Sequence, residues 1–129
     1  MIIDDVYNYL IEEIEGLTAV NTFKSYMPDS PGNCICIYDT GGAEPDKDIP
    51  TGDPTFQIMV RNKDYAVGHA LIIEIVGLLH QKKNIELVAE ATYFYNIMLM
   101  GEPGYLGRDD KKRDEFSVNF IAHTRGRPT

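Results

Sequence analysis

Residues 55–80 constrain the fold most, because an alternating strand there runs straight into an almost wholly apolar helix. In Thr55–Arg61, strand geometry puts Phe56, Ile58 and Val60 on one face and Gln57, Met59 and Arg61 on the other. Asn62-Lys63-Asp64 turns the chain, and Asp64 is placed to cap the helix that follows. Between Ala66 and Leu79 the clearly polar side chains are His69 and Glu74, so apolar positions run almost all the way round. A helix at a protein surface keeps a polar half. This one is therefore expected to be covered on more than one side, by its own sheet and by something else.

The rest of the chain supplies partners for that unit. Ile3, Val6, Tyr7, Leu10 and Ile14 recur at three- and four-residue spacing, which predicts a helix over 2–15 stopped by Gly16. Five acids, Asp4, Asp5, Glu12, Glu13 and Glu15, fall on its remaining surface and read as a solvated face. Val20–Tyr26 reads as extended, and Met27-Pro28-Asp29-Ser30-Pro31-Gly32 is turn chemistry. Cys34–Tyr38 reads as a strand, with either the isoleucines or the cysteines inward. Asp39–Pro54 keeps no hydrophobic period and reads as a long acidic loop. After the long helix, Gln81-Lys82-Lys83 brings positive charge to its C-terminal end, and 84–90 is ambiguous, with a short strand as one reading.

Thr92–Met100 alternates as a strand, with Tyr93, Tyr95, Ile97 and Leu99 opposite Phe94, Asn96, Met98 and Met100. Gly101–Arg113 reads as a second, glycine-rich loop. Glu115–His123 reads as the last strand, with Phe116, Val118, Phe120 and Ala122 on one face. The order is α-β-β-β-α-β-β, an α+β fold in which two helices pack on a mostly antiparallel sheet of four to five strands. At 129 residues the chain is expected to form a single domain, 1–129.

Charge and motif searches narrow the function by exclusion. Twelve basic against twenty acidic residues leave a net charge of −8, which opposes sequence-independent nucleic-acid binding. Met1-Ile2-Ile3 is followed at once by Asp4 and Asp5, unlike a secretory leader, and the apolar helix is too short for a membrane span. Cys34 and Cys36 on one strand face would lie roughly 6.6 Å apart, a poor disulfide geometry, and are expected as free thiols in a reducing compartment. His69 and His80 are three turns apart on one helix, roughly 16 Å, too far to share an ion, so no metal site is expected. Ser25, Ser30 and Ser117 lack a nucleophile setting, and Gly101-x-x-Gly104-x-x-Gly107 lacks the lysine and the following helix of a phosphate loop. No catalytic residues and no cofactor are expected.

Three stretches in order carry a resemblance over nearly the whole chain. They are the early strand ending in Asp39-Thr40-Gly41-Gly42, the strand Phe56–Arg61 entering the apolar helix, and Gly101–Asp110 followed by Arg113 and Phe116–Phe120. This order resembles the minor capsid, or tail terminator (tail completion), proteins of long-tailed bacteriophages and prophages. The Pro103–Asp109 segment, with its Leu-Gly-Arg-acid run, is the most telling part. The family's pattern has a glycine before the loop arginine, where this chain has Lys111-Lys112-Arg113.

The resemblance implies a non-enzymatic, ring-forming protein, hexameric in expectation, that caps the tail tube, ends its polymerisation and faces a head-completion or connector protein. It implies a place in the virion tail or neck after assembly in the bacterial host cytoplasm, with no sequence-specific nucleic acid or membrane partner. Glu44, Asp46, Asp48 and Asp53 are the candidate acidic lining of a DNA channel, where they would repel phosphate. Tyr105, Leu106, Arg108 and Arg113 are the candidate contact to a neighbouring subunit or the tail tube. Two other readings are a head–tail connector or neck protein of similar size, and a small-molecule-binding α+β domain with the acidic loop as its lid. A deep pocket rimmed by His69, His80 and carboxylates would favour the last.

Overall fold

The computed structural model describes residues 2–43, 51–87 and 93–125. Its elements are α1 (Ile2–Glu13), β1 (Thr22–Lys24), β2 (Cys34–Ala43), β3 (Thr51–Asn62), α2 (Tyr65–Leu79), β4 (Lys82–Glu86), β5 (Tyr93–Leu99), β6 (Gly104–Arg108) and β7 (Asp114–Arg125). The strands form one sheet ordered β1-β2-β3-β7-β5-β4, with β6 also on β7. Every pairing is antiparallel except β1 with β2. The fold is α+β, as the sequence indicates, but among the described residues the sheet has seven strands instead of four to five.

The core lies on one sheet face, and the register explains it. Ile35 stands opposite Val60 and Ile37 opposite Ile58, while Phe56, Ile58 and Val60 stand opposite Phe120, Val118 and Phe116. All of these are fully buried or nearly so, with Phe56 and Phe120 stacked at 5.2 Å. From the α1 side the layer receives Ile3, Val6, Tyr9 and Leu10, with Ile14 and Leu17 just beyond it; α2 adds Ile72, Ile75 and Leu79. Asp64 caps α2 by accepting the amides of Ala66 and Val67. Gly68 brings α2 close to the sheet, since a Cβ there would meet Phe116 Cε2 at 2.8 Å and Asn62 Cβ at 3.1 Å.

Several elements differ from their sequence reading, and irregular backbone is the common reason. Asp39–Ala43 and Thr51–Pro54 are not loop; they extend β2 and β3 past a bulge between Asp39 and Gly41. The bulge, with Gly41 at φ +93°, erases the alternation that marks a strand. In β5 a register shift between Phe94 and Asn96 puts Phe94 and Ile97 both inward, where strict alternation separates them. Gly104–Arg108 is also not loop. It continues past β5 along β7, with a bulge between Tyr105 and Gly107. In α1, Tyr9 rather than Tyr7 is the buried tyrosine, and Asp5 is buried, so only part of the acidic set is a solvated face. Lys82 and Lys83 open β4 after Gln81 takes a left-handed turn at φ +64°.

Candidate assembly surface

Viewed down its axis, α2 divides into an inner and an outer half. Gly68, Ile72, Ile75 and Leu79 face the sheet and are buried. Tyr65, Ala66, Val67, His69, Ala70, Ile73, Glu74 and Gly77 are exposed, with Tyr65 at 50%, Val67 at 54% and Ile73 at 49%. Two of those eight, His69 and Glu74, are polar. The crest Ala66, Ala70 and Gly77 is small, which lets another backbone approach closely. The sheet therefore covers one side of the helix, and the second apolar side is open.

One flank of that open face continues into the β6–β7 hairpin. Tyr105 meets Tyr65 edge-on at 5.2 Å and Phe116 at 5.3 Å, and Tyr65 stacks on His69 at 6.0 Å. The Tyr105 hydroxyl donates to Asp114 Oδ1 at 2.7 Å, a bond that raises the phenol's pKa ahead of burial. Arg108 holds the same carboxylate through Nε at 3.1 Å. Tyr105 is still 47% exposed and Leu106 beside it 58%. The structure thus brings Tyr105 and Arg108 together on Asp114 at the edge of the outer α2 face, with Leu106 exposed in the bulge next to Tyr105.

Arg113 has a different place. It is buried, donating from Nε to Asp109 Oδ2 at 2.7 Å and from its terminal nitrogens to the Asp29 carbonyl and Asp29 Oδ1. Asp109 also accepts the amides of Lys111 and Arg113, closing the hairpin tip. Burial pulls the Asp109 pKa upward, but the Arg113 and Lys111 hydrogen bonds outweigh it and hold the carboxyl below its usual value. Asp29 is held low first by Lys111 and then by Arg113. Lys112 sits at φ +61°, a left-handed backbone that suits glycine better than lysine.

Arg61 is a residue the sequence reading placed on the outward face and missed. It is buried, donating to the carbonyls of Pro28 at 2.5 Å and Pro31 at 2.9 Å. Arg61 and Arg113 together hold the turn-rich segment near Pro28–Gly32 over the back of β2. That is why Cys34 and Cys36, opposite in face to Ile35 and Ile37, are buried too. Both cysteines are free, and burial raises both thiol pKa values. Tyr38 nearby is pushed up to about 12, first by burial and then by its hydrogen bond with Cys36. No local signal marked it, since the carbonyls that it meets lie about 30 residues earlier in the chain.

Of the acidic set, Asp53 lies on β3 with its carboxylate 2.5 Å from His123 Nδ1 on β7. Glu44, Asp46 and Asp48 lie outside the described residues. On the flank of α2 away from β6 is a groove of about 520 Å³ between the end of α1 and the start of α2. Ile14, Leu17, Ala70 and Leu71 line it, with Glu15 and Glu74 at hand; neither His69 nor His80 contributes. Among the described residues no cluster of three or more metal-ligating side chains occurs, and no helix is long and apolar enough to cross a membrane.

Residues 9–125 match the family model described as bacteriophage tail terminator protein. The chain belongs to that family. A solved structure titled "Virion of native gene transfer agent (GTA) particle" contains a chain of the same fold. The likeness has a TM-score of 0.69 at 14% identity and covers 94% of this chain and 92% of the other. No curated protein matches significantly. As a tail terminator family member, this chain is a structural protein of the bacteriophage virion.

Proposed function

We propose that this tail terminator family protein closes the tail tube. A ring of identical copies, hexameric by the family resemblance, caps the growing tube, ends its polymerisation and presents a surface to the head-completion or connector protein. The observation that carries this reading is the exposed, almost wholly apolar outer half of α2, flanked by Tyr105 and Leu106. A contiguous apolar face of this kind marks a protein interface. Tyr105 and Leu106 serve as its anchors, Arg108 adds a charged edge, and Arg113 acts at a distance by fixing the hairpin. Asp53, at the far end of β3, lines the channel and repels DNA phosphate. Assembly takes place in the host cytoplasm.

The test is tube polymerisation. Adding this protein to polymerising tail tube protein should stop elongation and leave a ring at one tube end, visible by electron microscopy. An unchanged tube-length distribution, with binding to the connector instead, would assign the chain to the neck.

A further inference from the structure

We propose that the β6–β7 hairpin of one copy seats in the α1–α2 groove of the next, Leu106 entering between Leu17 and Leu71. This deepens the ring reading and rests on it, since it names the two surfaces that meet.

Three observations converge. The first is chemical fit. The groove has an apolar floor of Ile14, Leu17, Ala70 and Leu71 and carries the carboxylates Glu15 and Glu74, with no Lys or Arg among its described lining residues. The hairpin offers the complement: Leu106 is 58% exposed, and Arg108, Lys111 and Lys112 stand exposed on the same hairpin, Arg108 paired with Asp114 and Lys111 with Asp29.

The second is level. Cys34, in the groove, pairs with Arg61, which pairs with Glu115, which pairs with Gly107 beside Leu106. Groove and hairpin therefore lie in one row across the sheet, at opposite margins of β2-β3-β7-β6. Three strand spacings separate them, about 14 Å.

The third is the barrier between them. Tyr65 and Val67 are two residues apart on α2 and so project to opposite flanks. Tyr65 touches Tyr105 on the hairpin side, whereas Val67 lines the groove. The helix stands between the hairpin and its own groove, so the occupant is a second copy. Two different patches at one level on opposite sides make a head-to-tail contact, the kind that closes into rings.

A head-to-tail contact has a signature that a two-fold contact lacks. Leu106→Asp disables the hairpin and Val67→Asp disables the groove, and both positions are more than half exposed, so folding should survive. Each variant alone should sediment as a monomer at concentrations where the wild type assembles. Their equimolar mixture should give a two-subunit species and nothing larger, because each pair keeps one intact contact and two dead ends. A mixture that stays monomeric, a larger assembly, or either variant assembling alone overturns the pairing while leaving the ring reading in place. A wild-type chain that remains monomeric with tail tube protein present overturns both. Should either variant melt well below the wild type, a photo-crosslinker at position 106 replaces it. Crosslinks to residues 14–17 or 66–74 of another copy support the pairing, and crosslinks elsewhere or none refute it.

Discussion

The two helices feed the same core but treat the outside differently. α1 buries Ile3, Val6, Tyr9 and Leu10 and turns Asn8, Glu12 and Glu13 to solvent. α2 buries Ile72, Ile75 and Leu79 yet leaves Tyr65, Val67 and Ile73 half exposed on its far side. Packing on the sheet needs one apolar stripe per helix, and α1 has that and little more. The second stripe on α2 adds nothing to the monomer's core. It lowers solubility unless something covers it, which is why it reads as an assembly surface rather than as surplus core.

The sharpest way to break this contrast is to truncate each stripe of α2 in turn. Ile75→Ala opens a cavity in the core and should cost about 2–5 kcal/mol in denaturant unfolding. Ile73→Ala, two residues away on the open face, should change monomer stability by no more than about 0.5 kcal/mol. Similar losses at both positions would mean that the outer face is already covered within the monomer. Next in size is Gly68→Ala, which forces a methyl against the Phe116 ring and Asn62. It should destabilise by about 1–3 kcal/mol, because α2 must lift from the sheet.

A smaller effect should come from acid at the hairpin. Asp29 and Asp109 are held below the usual carboxylate range in the folded chain, so their contribution is complete above the unfolded value and is lost as pH falls through the lowered ones. The hairpin amides should keep their hydrogen-exchange protection at pH 5, begin to lose it near about pH 4, where free carboxylates protonate, and lose the rest as pH falls on through the lowered values. Asp4 on α1, held low by its hydrogen bond with Lys24, should lose its contribution over the same span, so the first turn of α1 responds along with the hairpin. Smallest of all, Lys112→Gly relieves a left-handed backbone worth about 1–2 kcal/mol but adds glycine's unfolded freedom. A net gain of about 0.5 kcal/mol in thermal unfolding is expected.

What the sequence disclosed follows regular geometry. The β3–α2 junction, the Asp64 cap and the inward face of β7 all obey simple periods, and each was readable. Stretches carrying bulges were not: Asp39–Pro54 and Gly101–Arg113 read as loops, because glycines at left-handed angles break the alternation by which strands are recognised. The surface was legible by halves. Tyr105 and Leu106 stood out as apolar residues in a polar stretch, and α2 stood out as apolar all round. Arg61 and Arg113 did not announce their burial, since their partners near Asp29 lie about 30 and 80 residues away in sequence, and sequence spacing carries no trace of such pairing. The groove, made by two helix ends, is a tertiary feature with no local signature.

Assembly buries the outer face of α2 and leaves the exposed Glu12 side of α1 wet. Cysteine labelling measures this directly, because Cys34 and Cys36 are buried with raised pKa values and should react slowly. Ile73→Cys and Glu12→Cys place one reactive thiol on each helix exterior. In the monomer both should label rapidly with a maleimide. In the tube-capped assembly, labelling at position 73 should fall at least about tenfold, equivalent to about 1.4 kcal/mol of protection, while position 12 keeps its monomer rate. Equal rates at position 73 in both states would contradict the account.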